Sequence, residues 1–305
     1  MFRGCKSLTS ITISGETLPI KLRTMDNIYN GCINLKNVIP IPMDFSYDIS
    51  MEGACASCYS LTDDTIYKEI PYRVTSVSYL YEYCRGLTNP VVNVASDNVN
   101  ARQMFQYCNN IQTLTVNFNG RLLRESMWFA QHCDNLQTVN FKFQEALTIH
   151  DYYETGVAYY EMFRYCENLN YVNLDMTSLN ATNARADFGG MFYQTAHIKE
   201  IHGLDLTYLK PYQKPLTNAG QHHYDYHNDS ITYGANFQDL TTFDITGLLN
   251  TSYNFRNINT ITHTKTILRH LDTVTNQTLG LTYNIMDAID DSLNEYVDPE
   301  LKALA

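Results

Sequence analysis

Cysteine can act as a nucleophile, a redox group or a metal ligand, and this chain of 305 residues contains 8 cysteines. Cys55 and Cys58 form a C-x-x-C pair, the spacing found in dithiol redox sites and in half of a zinc site. No second such pair accompanies them, and both belong to a repeated phrase described below, so a structural role is favoured. His132 precedes Cys133, but adjacent residues on one element point apart, so we do not expect a base and a nucleophile.

The segment QHHYDYHND holds the other dense group of chemically active side chains, namely His222, His223, Asp225, His227 and Asp229. Imidazole and carboxylate groups are common ligands of zinc and other transition metals. The alternative is a solvated polar loop whose histidines hydrogen-bond locally or contact a ligand. We favour the loop, and we assign no metal site and no cofactor.

Motifs for nucleotide or phosphate chemistry are missing from the sequence. No glycine-rich loop of the phosphate-binding type occurs. The triplet that begins at Asp187, Asp-Phe-Gly, is shared with protein kinases, but the companion kinase motifs are absent. We therefore expect a non-enzymatic protein without catalytic residues.

The cysteines recur with a period, and this period indicates the elements that position them. Seven of them follow one another at steps of 27, 26, 26, 24, 25 and 33 residues: Cys5, Cys32, Cys58, Cys84, Cys108, Cys133 and Cys166. A large aliphatic residue stands three positions after each one, and an apolar pair such as Met104-Phe105 precedes most of them. The apolar phrase continues without its cysteine, so that about ten copies span residues 1–262.

Alternating apolar positions after each cysteine predict a short strand, and the segment before it predicts a helical or turn-like arc. One such unit cannot bury its apolar face alone, so successive units must stack into a solenoid with a shared core. A cysteine that recurs once per unit then forms an internal ladder of small, buried side chains. We expect these thiols to be free, as in a reducing compartment.

The phrases MFRGCKSLTSITI and MFQYCNNIQTLTV resemble the units of BspA-like leucine-rich repeats. This resemblance implies an α/β repeat solenoid of the leucine-rich-repeat fold, with about ten repeats of about 25 residues and a curved parallel sheet. It also implies a binding scaffold. Similar repeats occur in bacterial and protist surface adhesins and in phage-encoded tail or fibre proteins, and the repeats alone identify no ligand.

The last part of the chain differs from the repeats. Within residues 263–305, apolar residues recur at helical spacing, at Leu281, Ile285, Ala288, Ile289 and Leu293. We therefore predict two parts, a leucine-rich-repeat solenoid over residues 1–262 and a C-terminal helical cap over residues 263–305.

Two insertions, near residues 150–160 and 207–230, interrupt the repeat and are rich in tyrosine. Insertions in a solenoid map to loops, often on the binding face. Tyrosine beside small polar residues gives rigid contact area at low entropic cost, as in an antibody paratope. The alternative is that these side chains pack the loops onto the solenoid. The predicted ligand-binding residues are Tyr152, Tyr153, Tyr159, Tyr160, Tyr208, Tyr212, Tyr224, Tyr226, His222 and His223.

The outward positions of the predicted strands form a second candidate surface. They carry Thr, Asn and Gln, as in Thr113, Thr115, Asn140 and Asn173, and few charges. Such side chains both donate and accept hydrogen bonds, which suits a neutral glycan or a polar protein surface. The alternative is that these residues are simply tolerated on a wet sheet face.

Charge and hydropathy exclude several kinds of partner. The chain has 21 Lys and Arg against 32 Asp and Glu, a formal charge of −11, which argues against nucleic acid. The sequence contains no run of about 18 apolar residues, so membrane insertion is not predicted. The first residues also lack the apolar stretch of a secretory signal. Synthesis in a host cytoplasm without a signal peptide, followed by exit through lysis and a location on the virion surface, fits this pattern.

We therefore expect an accessory phage virion component, such as a fibre or receptor-binding protein, that binds a host-surface glycan or protein. One alternative is a BspA-like adhesin on the extracellular surface of a bacterium or protist. A second is a structural module that docks through the end of its solenoid. The chain opens inside a repeat at Met1-Phe2 without a polar cap, so this end is the expected contact with other virion subunits.

Overall fold

A computed structural model describes the chain over residues 1–13, 22–96, 99–119, 123–143, 159, 161–176, 190–205, 239, 242–246 and 267–270. The regular elements of these ranges are all β-strands, and they contain no helix. The twelve strands are β1 (Ile49–Ser50), β2 (Glu69–Ile70), β3 (Val74–Ser76), β4 (Val91–Val94), β5 (Val99–Asn100), β6 (Thr113–Phe118), β7 (Leu123–Glu125), β8 (Thr138–Lys142), β9 (Tyr171–Asp175), β10 (Glu200–Asp205), β11 (Thr242–Thr246) and β12 (Ile267–His270).

The strands form two parallel sheets, which are two walls of one coil. The larger sheet has the order β2-β4-β6-β8-β9-β10-β11-β12, and the smaller has the order β1-β3-β5-β7. From β1 to β8 the chain alternates between the two sheets, so each turn of the coil adds one strand to each wall. The predicted parallel repeat solenoid is therefore confirmed.

Equivalent residues of successive turns lie side by side because the register is preserved from β2 to β10, and it shifts only between β10 and β11. Leu114 of β6 pairs with Val139 of β8, and Val139 pairs with Val172 of β9. In β6 the inward residues Leu114, Val116 and Phe118 are buried, and the alternate residues are half-buried at the outer surface. The period of two that distinguishes inward from outward side chains follows from the pleat of a strand.

The segment before each cysteine is an arc of stacked turns. In one arc, Cys84 N donates to Tyr81 O over 3.0 Å, which closes a turn whose third residue, Tyr83, has a φ of 60°. Alternate N–H groups point instead to the next arc: Tyr81 N donates to Met104 O and Tyr83 N to Gln106 O, each over 2.9 Å.

Left-handed residues recur at two fixed places in these arcs, one and five positions before the cysteine. Non-glycine residues occupy many of these places, for example Tyr79, Tyr83, Gln103 and Tyr107, with φ between 54° and 60°. In an α-helix the N–H groups beyond the first turn would bond to carbonyls of the same segment. Here the left-handed residues turn N–H groups along the solenoid axis, where the neighbouring arc supplies carbonyl acceptors.

The helical component of the predicted α/β leucine-rich-repeat fold is therefore not found in the described ranges, where the arcs are turns. The predicted helical cap, residues 263–305, lies outside the described residues apart from β12. This strand pairs in parallel with β11 and extends the larger sheet by one strand. The division of the chain at residue 262 stays a prediction.

Among the described residues, the core is one continuous cluster of apolar side chains between the walls. Aromatic rings from successive turns contact one another in it: Phe129 lies 5.5 Å from Phe105, 6.1 Å from Phe118 and 5.3 Å from Phe141, measured between ring centroids. Buried aromatic rings give the solenoid much of its apolar contact area.

Candidate functional site

The cysteines form a hydrogen-bonded ladder inside the solenoid. Each thiol donates to the backbone carbonyl oxygen three residues before the cysteine of the preceding turn, for example Cys108 Sγ to Tyr81 O over 2.9 Å and Cys133 Sγ to Phe105 O over 3.1 Å. Cys32, Cys58, Cys84 and Cys166 make the same contact over 2.9 to 3.1 Å. The predicted ladder of buried free thiols is confirmed for these six residues.

Two positions depart from the ladder. Cys5 is exposed rather than buried, which corrects the expectation for the first copy. Thr195 occupies the place of the cysteine in a later copy, and its hydroxyl donates to Phe192 O in its own turn instead of to the preceding turn.

Burial raises the pKa of every thiol in the ladder. It raises the pKa of Cys58 and of Cys166 to about 12, and it raises the pKa of Cys84 and Cys108 well above the usual range. Because the thiolate is the nucleophile, a raised pKa disfavours nucleophilic chemistry at these thiols at neutral pH. Cys55 is also fully buried, and its pKa is raised well above the usual range by burial.

A second ladder, which the sequence analysis missed, lies two positions after the cysteine. Asn135 Nδ2 donates to Asn109 O over 2.7 Å, and Asn168 Nδ2 donates to Asp134 O over 2.6 Å. Asn34, Ser60 and Asn110 make the equivalent bond to the turn before them. The phrase C-x-N, present in four of the repeats, was the available signal for this ladder.

An outer column of rings stands on the arcs, and we call Tyr83, Tyr107, His132, Tyr165 and Tyr193 the aromatic column. Successive centroids from Tyr83 to Tyr165 are 4.6, 4.9 and 4.6 Å apart, with interplanar angles of 6°, 6° and 19°. Tyr193 closes the column edge-on at 5.8 Å. His132 is thus stacked between two tyrosines, and the Cys133 thiol bonds to Phe105 O, so the two do not pair as base and nucleophile.

A buried carboxylate lies beside this column. Glu161 is 1% exposed, and its Oε2 accepts hydrogen bonds from Trp128 Nε1 over 2.8 Å and from Arg164 Nη1. The Arg164 guanidinium lies 4.7 Å from the ring of Tyr165 and 4.8 Å from that of Tyr193. The buried carboxylate is therefore hydrogen-bonded by an indole and a guanidinium, and these contacts explain its burial as part of the structure.

The outward side chains of β2, β4, β6, β8, β9 and β10 form what we call the outer face. Many bond to their neighbours in adjacent turns. Asn117 Nδ2 donates to Asn93 Oδ1 over 2.9 Å, and Asn173 Nδ2 donates to Asn140 Oδ1 over 3.0 Å. The face consists of Glu69, Val91, Asn93, Thr113, Thr115, Asn117, Thr138, Asn140, Lys142, Tyr171, Asn173, Asp175, Glu200 and His202.

Of the ten residues predicted to bind a ligand, the structure describes Tyr159 alone. Its side chain is fully buried, and its ring meets that of Phe143 edge-on at 4.7 Å. Tyr159 therefore belongs to the core and corrects the expectation of a surface contact at this position. The remaining nine lie outside the described residues: Tyr152, Tyr153, Tyr160, Tyr208, Tyr212, Tyr224, Tyr226, His222 and His223.

The described ranges hold neither a cluster of metal-ligating side chains nor a helix that could span a membrane. No group of three or more His, Cys, Asp or Glu side chains that could hold a metal ion lies there. The His and Asp cluster of residues 222–229 falls outside them. Among the described residues, no helix is long and apolar enough to cross a membrane.

Comparison with known proteins adds no relative. The chain matches no family model, no curated protein and no solved structure.

Proposed function

We propose that this chain is a non-enzymatic recognition protein, an accessory phage virion component such as a fibre or receptor-binding protein, that binds a host-surface glycan or protein. The observation that carries the proposal is the outer face, on which amide and hydroxyl groups stand in register across successive turns. The resemblance of the repeats to those of phage-encoded tail and fibre proteins supports the virion location.

The outer face suits recognition because its side chains are ordered before any ligand arrives. Asn93 Nδ2 donates to Glu69 Oε1 over 2.6 Å, and Asn140 Nδ2 donates to Thr115 Oγ1 over 3.3 Å. A side chain already fixed by a neighbour loses less conformational entropy on binding. An amide that donates one such bond retains further donor and acceptor capacity for a ligand hydroxyl or peptide group.

The length of the surface supports an extended ligand. Stacked turns give solenoids long, regular surfaces that many of these proteins use for binding. Neighbouring parallel strands lie about 4.8 Å apart, so six strands from β2 to β10 repeat similar chemistry over roughly 24 Å. A polymer with a repeating unit, such as a polysaccharide, can use several equivalent contacts on such a surface.

The tyrosine-rich insertions are the second part of the proposed binding surface, through Tyr152, Tyr153, Tyr160, Tyr208, Tyr212, Tyr224, Tyr226, His222 and His223. In the sequence both follow a repeat strand and precede the next arc, and this placement predicts that they emerge on the same side of the coil. This part of the proposal depends on composition and on the placement of the interruptions.

Binding of the purified, fluorescently labelled chain to intact candidate host cells and to their isolated surface polysaccharides tests the proposal. One variant replaces residues 150–160 and 207–230 by short Gly/Ser links. A second carries Thr115→Asp and Asn140→Asp on the outer face. We expect the original chain to bind and at least one variant to lose binding with an unchanged thermal unfolding midpoint. Failure of the original chain to bind cells or polysaccharides contradicts the proposal.

Antibodies against the chain test its location. Applied to virus particles purified from lysates of the producing cells, they are expected to label the particle surface. Labelling of the producing cell envelope, with unlabelled particles, would instead identify an adhesin and overturn the virion assignment.

A further inference from the structure

Four side chains on β9 and β10 form a distinct cluster within the outer face. Tyr171 pairs with Glu200, and Asn173 pairs with His202, in the register of the two parallel strands. Paired residues lie about 4.8 Å apart, and alternate residues of one strand lie about 6.6 Å apart. The four side chains therefore rise from the corners of a small rectangle.

The cluster combines an exposed ring with polar groups. Tyr171 is 40% exposed, a high value for a large aromatic side chain in this chain, and Asn173 is exposed beside it. The side chains of Glu200 and His202 are 39% and 36% exposed. No other site on the described outer face places an aromatic ring beside a carboxylate, an amide and an imidazole.

Hydrogen bonds fix the polar members of the cluster. His202 Nε2 lies 2.8 Å from Glu200 Oε2, and Asn173 Nδ2 donates to Asn140 Oδ1 over 3.0 Å. The Glu200 and His202 contact directs one carboxylate oxygen toward the imidazole. Two strands of a stacked sheet hold all four residues, so the arrangement is supported by backbone pairing on both sides of β9.

The charges around the cluster indicate the kind of ligand. Glu200 Oε2 lies 2.8 Å from His202 Nε2, and Lys142 of β8 stands in register with Asp175 of β9 on the neighbouring row. The chain as a whole carries a formal charge of −11, which disfavours a polyanion. A ligand that presents hydroxyl groups and an apolar face without charge is complementary to this combination.

We propose that Tyr171, Asn173, Glu200 and His202 form a subsite for one neutral pyranose unit of a saccharide. The C–H face of the sugar lies on the Tyr171 ring, the Glu200 carboxylate accepts hydrogen bonds from sugar hydroxyls, and the Asn173 amide contacts a further hydroxyl. This inference rests on the proposed recognition function and names its ligand class and its central contact.

Titration calorimetry with neutral gluco-, galacto- and manno-oligosaccharides tests the subsite, with heparin as an anionic comparison. The variants are Tyr171→Ala and Glu200→Gln. Tyr72→Ala is the matched control, because Tyr72 is 50% exposed and lies between β2 and β3, outside the outer face. We expect at least one neutral oligosaccharide to bind, Tyr171→Ala to weaken it at least tenfold, Glu200→Gln to weaken it several-fold, and Tyr72→Ala to leave it unchanged.

The outcomes separate the subsite from the wider proposal. Saccharide binding that is equal in all variants overturns the subsite and leaves the recognition function standing, as does binding of heparin alone. The chain could instead bind host cells but no saccharide, with cell binding abolished when the cells are treated with protease. That result also overturns the subsite and leaves the recognition function standing. A chain that binds neither cells nor saccharides overturns both. Equal thermal unfolding of Tyr171→Ala and Tyr72→Ala checks that the variants are folded.

Discussion

At the scale of single residues, the same side-chain type serves different purposes according to its place in a turn. A cysteine of the ladder is a small buried donor, and the carbonyl oxygen that its thiol reaches also accepts a backbone N–H from within its own turn. Tyr81 O, for example, accepts one hydrogen bond from Cys84 N and a second from Cys108 Sγ of the next turn. A backbone acceptor inside the core is thus used twice, which limits the cost of burying it. This explains why a weakly polar residue recurs where an aliphatic one would otherwise fit.

Thiol labelling tests the ladder. In the folded chain we expect a maleimide to modify Cys5 rapidly, because Cys5 is exposed and the other seven cysteines are protected by burial. After denaturation all eight should react. Intact-mass spectrometry at successive times measures the number of labels. Rapid labelling of two or more thiols before unfolding would contradict the ladder.

The place of His132 predicts a pH dependence of stability. Burial between the rings of Tyr107 and Tyr165 lowers the pKa of His132, Arg164 lowers it further, and Asp134 opposes both. The folded state therefore binds a proton here less readily than the unfolded state, in which the pKa is about 6.5. The contribution to stability is complete above about pH 6.5 and is lost as the pH falls through the lower, folded-state pKa.

Substitution by tyrosine isolates this effect, because His132→Tyr continues the aromatic column without a titrating imidazole. We expect the free energy of unfolding of the original chain to fall relative to that of His132→Tyr as the pH decreases from 8 to 5. Urea unfolding at each pH measures the difference. A difference that stays constant, or that reverses in sign, would show that the column does not disfavour the protonated ring.

At the scale of elements, the arcs are held by bonds between turns. The ladder of Asn and Ser side chains two positions after the cysteine caps carbonyls at one bend, and alternate backbone N–H groups cap carbonyls of the following arc. These bonds form only when a neighbouring turn is present. The arc is therefore a product of stacking and has no reason to be stable as an isolated segment.

One turn lacks the ladder side chain for a steric reason. Gly86 takes the place of the asparagine, and a Cβ there would lie 2.2 Å from Leu61 O and 2.8 Å from Tyr59 O. We expect Gly86→Ala to destabilise the chain by about 3 kcal/mol or more, because backbone atoms must move. Asn135→Ala, which removes one exposed hydrogen bond, should cost about 0.5–1.5 kcal/mol.

Chemical denaturation of the two variants compares these costs directly. Gly86→Asn serves as a further control. It restores the residue type of the ladder but not the space for it, so it should be at least as destabilising as Gly86→Ala. A stabilising effect of Gly86→Asn would show that the approach of Leu61 O is not rigid.

At the scale of the whole molecule, the solenoid is a column in which each turn is stabilised by its two neighbours. Interactions in such a column are chiefly between adjacent turns. The rings that surround Phe129 come from different turns, so this residue joins several turns in one contact group. Damage in the middle of the column should therefore weaken the stack on both sides.

Truncation of this ring tests that view. We expect Phe129→Ala to reduce the free energy of unfolding by about 3–5 kcal/mol, since a fully buried aromatic side chain leaves a cavity. Val91→Ala, which shortens a side chain that is 44% exposed, should change it by less than about 0.5 kcal/mol. Urea unfolding measures both. Similar values for the two variants would exclude a continuous core at Phe129.

What the sequence alone determined is the repeating, parallel stack and the burial of its cysteines other than Cys5. The spacing of Cys108, Cys133 and their following aliphatic residues establishes which positions face inward, because apolar burial is periodic wherever a chain repeats its path. The polar character of the outer face follows from the same alternation. These properties depend on each residue and its own neighbours in sequence.

The tertiary structure decided what depends on the neighbouring turn. Whether an arc is helix or turn depends on where its N–H groups find acceptors, and the adjacent arc supplies those acceptors in space. The ring stack of His132, the burial of Tyr159 and the juxtaposition of Tyr171 with Glu200 likewise join residues that are far apart in the chain. The residue pattern of the sequence contains the period of the coil, but it does not contain the side-chain contacts between neighbouring turns.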